Sequence, residues 1–124
     1  MENLSQAGKA FFDYLTEVRE IKTSTAKTYL RDWLLIESFF GATRKLENIL
    51  PVHVANFAKS DDLTLKTDGT RKSERTIDKT ARLFRIFLDW CAETGRLKKA
   101  PVPRNARLGR LTVAEREERR NKAA

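Results

Sequence analysis

The chain has 124 residues, 40% hydrophobic and 34% charged, with a formal net charge of +8 and a pI of about 9.9. That length and mixture suit one globular domain with a hydrophobic core, and they exclude a disordered polyelectrolyte. The lone cysteine, Cys91, excludes an intrachain disulfide or a multi-cysteine zinc site, no apolar run reaches transmembrane length, and "MENLSQAGKAFF" lacks a secretory apolar core, so the expected location is the cytoplasm.

Residues 4–20, "LSQAGKAFFDYLTEVRE", carry Leu4, Phe11, Tyr14, Leu15 and Val18 at helical spacing, with Ser5 as a candidate cap. In residues 24–40, Ala26, Tyr29, Leu30, Trp33 and Phe40 share one helical face, and Lys27, Thr28 and Arg31 share the opposite one. Thr23 or Ser24 can cap this second helix, and Gly41 ends it. A short third helix follows over 51–60. Pro51 sits in its first turn, and Val54, Phe57 and Ala58 form its apolar face.

Residues 61–72 are polar, with Asp68-Gly69 as a turn signal. They read as a loop, with a β-hairpin as the alternative. A fourth helix starts at Ser73, a good N-cap, and runs to about Thr94 before Gly95 stops it. Beyond it, residues 100–110 read as an extended linker. Arg104, Arg107 and Arg110 there either track phosphates or form a solvated end. Residues 111–124 read as a short closing helix, with Thr112 and Glu115 at capping-box spacing. The expected class is all-α: four main helices over residues 1–100 and a basic tail over 101–124.

Charge is unevenly spread. Residues 1–95 sum to +1 and residues 96–124 to +7. The body can bind a polyanion only where its cations cluster, and the fourth helix clusters them. With Arg75 at zero and about 100° per residue, Arg71, Arg82, Lys79 and Lys72 fall at roughly −40°, −20°, +40° and +60°. This holds if the helical path extends back that far. Ile77, Ala81, Phe84, Leu88 and Cys91 lie opposite. In the second half Leu83, Ile86 and Trp90 rotate into the cationic sector, which predicts enclosure by other helices.

A helix projecting at its N-terminal half can enter a groove of double-stranded DNA, where Arg and Lys reach phosphates and base edges and Ser and Thr add shorter contacts. The second helix repeats the design, with Lys22, Lys27 and Arg31 among Thr23, Ser24, Thr25 and Thr28.

This ordered set resembles the N-terminal core-binding domain of tyrosine recombinases, the phage integrase and Xer-like superfamily. The opening is "FFDYL". The second signature is "TSTAKTYLRD", with Thr25, Tyr29 and Asp32. The third-helix entry is "ILPVHVANF". The fourth signature is "SERTIDKTARLFRIFLDWCAETGRL", with Ser73, Thr76, Ile77, Leu83, Phe87, Trp90 and Gly95. The likeness covers about residues 5–103, and "LTVAERE" resembles the opening of the family's catalytic domain. Ala100-Pro101 stands where the family has Asn-Pro.

The resemblance implies a SAM-like four-helix bundle forming one arm of a C-shaped clamp on a recombination half-site. It implies DNA contacts from Lys22, Thr25, Lys27, Thr28 and Arg31, and from Arg71, Lys72, Ser73, Arg75, Thr76, Lys79 and Arg82. Self-association on DNA is the second implied partnership. Family catalysis needs an Arg, a Lys, a His-x-x-Arg, a further His or Trp and a nucleophilic Tyr, and that set cannot be assembled here. His53, the only histidine, reads as structural or solvent-facing, while Tyr14 and Tyr29 read as core. No catalytic residue, metal site, cofactor, small-molecule substrate or membrane partner is expected. Two alternatives stand beside this reading: a helical protein–protein module docking through the aromatic-rich fourth helix, and a free-standing small DNA-binding regulator.

Overall fold

The structure, a computed structural model, describes residues 2–103. Five α-helices follow one another: α1 (Leu4–Glu17), α2 (Thr23–Phe40), α3 (Pro51–Ala58), α4 (Asp61–Thr64) and α5 (Glu74–Glu93). A single 3-10 turn, Leu46–Asn48, precedes α3. The fold class is all-α, and among the described residues there are no strands, only isolated bridges pairing Asn3 with Lys45 and Leu65 with Arg71. No helix among them is long and apolar enough to cross a membrane. The expected closing helix over 111–124 and the roles of Arg104, Arg107 and Arg110 lie outside the described residues.

The helix starts differ in detail from the sequence expectations. Asn3, not Ser5, caps α1: its side chain accepts the Gln6 N–H at 2.9 Å, and the Gln6 side chain accepts the Asn3 N–H in return. The free N–H groups of Leu4 and Ser5 are taken by the carbonyls of Arg44 and Ala42, so the first turn is satisfied by the loop after α2. Thr23 and Ser24 already lie within α2; its N-cap is Lys22, which makes no side-chain cap bond. The stretch 61–72 holds a one-turn helix capped by Ser60, followed by a tight reversal at Asp68-Gly69. There Thr70 donates to the Asp68 carboxylate from both its backbone N–H and its hydroxyl, which holds that carboxyl below its usual range. The loop expectation overlooks α4 because four residues are too few to show a helical period.

The core is aromatic, and α5 is its spine. Phe87 packs against Trp33 of α2 and Phe11 of α1, and Trp90 extends the row to Tyr14. Further toward the N-terminus of α5, Phe84 meets Phe40 of α2 and Phe57 of α3. The helix is amphipathic over its first half and buried on most sides over its second, in keeping with its pattern. Ile86 departs from the expected enclosure and remains 41% exposed. Leu30 and Val18 are exposed as well, because the apolar face of α2 turns on Trp33, Ile36 and Phe40 and because α1 ends at Glu17.

Gly8 lets α1 and α2 meet closely: a Cβ there would lie 2.6 Å from Trp33 Cε2 and 2.8 Å from its Nε1. The start of the described chain also meets the segment just after α5. Arg96 Nε donates to the Glu2 carboxylate at 2.9 Å, and its guanidinium lies 4.3 Å from the Trp90 ring centroid. Replacing Arg96 by Ala should cost about 1 kcal/mol in urea denaturation, since it removes a half-exposed ion pair and a cation–π contact together.

Cys91 is fully buried on α5, and loss of solvent pushes its thiol up to about 12. At neutral pH the folded protein should resist alkylation by iodoacetamide, and denaturant should restore normal reactivity; fast labelling of the folded chain would contradict this burial.

Candidate nucleic-acid interface

Three cations on α5 come together beside one residue of α2. Arg75, Lys79 and Arg82 line a cleft of about 370 Å³ with Tyr29, and Leu83 and Ile86 supply its apolar lining. Asp78 stands at the same cleft. The local reason is the helix period: positions 75, 79 and 82 recur at four and three residues, so they share a ridge that faces away from Phe84 and Leu88. Among the described residues, ion pairs engage Arg71 with Glu74, Arg85 with Asp89, and Arg96 with Glu2. Arg75, Lys79 and Arg82 stand outside them.

The two helices are pinned to each other at the level of this cleft. Thr80, buried on α5, donates its hydroxyl to Asp32 of α2 at 3.2 Å. The other oxygen of the Asp32 carboxylate is buried without a hydrogen-bond partner. The α2–α5 pair makes the most extensive helix contact of the fold, so the cleft is built on rigid elements rather than on loops.

The remaining site residues divide by what they do. Ser73 caps α5: its hydroxyl accepts the Thr76 N–H at 3.2 Å and lies 2.9 Å from the Thr76 hydroxyl. Both side chains are exposed, so they remain at the helix start, where free N–H groups favour an anion. Arg71 and Lys72 precede the helix. The angles expected for them on a continuous α5 do not apply, because the path turns extended at Ser73. Arg71 is paired with Glu74 at 2.9 Å, and the Lys72 N–H is bound to the Thr64 carbonyl.

On α2, Lys22, Lys27 and Arg31 are exposed, and Thr25 and Thr28 are half-buried, with Thr28 donating to the Ser24 carbonyl at 3.1 Å. Lys27 and Arg31 each lie two residues from Tyr29, about 160° around the helix from it. The residue of α2 that joins the α5 cations is Tyr29, which is half-buried against the core, in line with its place on the apolar stripe, and lines the cleft as well. The signal that could have found it is its phase: it lies on the α5 side of α2, near the helix start.

His53 has a structural task. Its Nδ1 accepts the Leu50 N–H at 3.0 Å and faces Arg44 Nη1 at 3.3 Å, which fixes the start of α3. Among the described residues, no group of three or more His, Cys, Asp or Glu side chains is placed to hold a metal ion. A second cleft, of about 610 Å³, lies between the start of α3 and the segment after α5; Ile49, Leu97 and Val102 make it apolar and Lys98 and Lys99 border it.

Comparison with known proteins returns no matching protein family, no matching curated protein and no matching solved structure.

Proposed function

We propose that this chain binds double-stranded DNA through the α5 ridge, with Tyr29 of α2 beside it, as a core-binding domain of the tyrosine recombinase type. The observation that carries the reading is the cleft that gathers Arg75, Lys79 and Arg82 beside Tyr29, outside the ion pairs found among the described residues. Clustered cations on one face of a rigid helix attract a polyanion, and a helix is the element that a major groove admits. The order of the helices supports the SAM-like bundle of that domain, with α4 as a short addition before the last helix. In this reading the chain grips one side of a half-site, and cutting and joining fall to a part of the recombinase that these residues do not supply.

Fluorescence anisotropy with a labelled duplex, repeated over a salt series, tests it. With about six phosphate contacts, log K against log salt should slope near −5, and affinity should fall in the micromolar range typical of half an interface. A slope near zero would refute the groove assignment.

A second reading, the helical protein–protein module, cannot use the aromatics of α5, since Phe84, Phe87 and Trp90 are buried; it rests instead on the exposed Leu30 and Leu34 of α2. Salt-resistant dimers in size-exclusion chromatography without DNA would favour it.

A further inference from the structure

Ile86 is out of place on a merely solvated ridge. It is 41% exposed, and it continues the series Arg75, Lys79, Arg82 at the spacing that keeps side chains on one helix face. From Arg75 to Ile86 the ridge spans roughly 16 Å, the length of about five base pairs at 3.4 Å each. Ile86 also forms one wall of the cationic cleft, with buried Leu83 and the side chain of Tyr29 beside it. A surface shaped only for phosphates gains nothing from that apolar wall, because a phosphodiester offers it no methyl to cover.

The bordering cations decide the occupant. A partner that covers Ile86 must also present anions to Arg75, Lys79 and Arg82, which an apolar peptide does not. Within a duplex major groove the one methyl that an unmodified base presents is the C5-methyl of thymine. We infer that Ile86, backed by Leu83 and Tyr29, is a specificity-determining contact for a thymine methyl in the major groove. This rests on the duplex-DNA reading above and adds a sequence preference to it. The cations fix the helix on the backbone, and Ile86 selects which base edge it is fixed against.

The test is selection from a randomised duplex library, followed by anisotropy titration of the best duplex with each thymidine replaced in turn by deoxyuridine. Wild-type protein should show one or two positions where loss of the methyl weakens binding roughly fourfold, the factor for burying about one methyl group. In Ile86→Ala that discrimination should vanish, the variant binding the thymine and uracil duplexes equally, and circular dichroism melting should confirm that the variant folds. Equal affinity for thymine and uracil at every position, or discrimination that survives in Ile86→Ala, overturns the Ile86 assignment. The duplex-DNA reading then still stands if charge reversal on the ridge abolishes binding. Absence of any duplex binding by wild-type protein overturns both. If Ile86→Ala instead dissolves a DNA-independent dimer seen by light scattering, Ile86 belongs to a contact between copies, and the inference falls.

Discussion

An Arg75→Glu, Lys79→Glu double variant should bind duplex DNA on the order of a hundredfold more weakly than wild type while melting at the same temperature. The size follows from two charge-assisted phosphate contacts at about 1.5 kcal/mol each, before any repulsion from the new carboxylates is counted. The expectation that the fold survives has its own basis. Both side chains are exposed on the outer ridge of α5, and neither belongs to an ion pair found among the described residues. The salt slope should flatten too, by about 0.9 for each phosphate that is no longer neutralised. The Arg75→Glu change also falls in the first turn of α5, where an acidic side chain favours the helix. A folded double variant with undiminished affinity would remove the ridge from the interface.

Gly8→Ala should destabilise the protein by about 2 kcal/mol, although the same change inside a helix ordinarily stabilises by about 1 kcal/mol. The inversion comes from Trp33. An added Cβ would collide with its indole, and the indole has nowhere to go. Its Nε1–H is bound to the Glu37 carboxylate at 2.8 Å, and its ring is held against Phe87 at 4.7 Å and Phe12 at 6.1 Å between centroids. Overpacking of this kind costs up to about 3 kcal/mol, and the helix-propensity gain offsets about 1 of it. Urea denaturation measures the difference. Trp33→Phe in the same chain should relieve much of the clash, so the double variant should be less unstable than the sum of the two singles. A Gly8→Ala protein at least as stable as wild type would mean that α1 and α2 are not in such close contact.

What can be read from the sequence follows from period and caps. Long helices with a steady apolar stripe, such as α1 and α5, announce themselves, and Ser73 and Gly41 mark the boundaries that their chemistry predicts. The short α4 is below the reach of any period, whereas the cap at Asn3 is a local exchange with Gln6 three residues on, at capping-box spacing. The candidate site divides the same way. The ridge of Arg75, Lys79 and Arg82 is a property of one helix and so is legible directly. The role of Tyr29 depends on how α2 is rotated against α5, which Asp32 and Thr80 fix across a separation of 48 residues. Ile86 escapes the pattern because an apolar residue in a cationic sector predicts burial, and the packing around Trp90 and Leu83 leaves that one position open.

The clasp between Glu2 and Arg96 places the start of the described chain and the end of α5 at one corner of the bundle. A segment whose two ends are neighbours can be spliced into a surface loop of a host protein without stretching either partner. The same geometry makes the bundle portable: it can ride on another polypeptide at one junction, and whatever is joined after α5 starts its course beside α1 rather than at the far pole of the molecule.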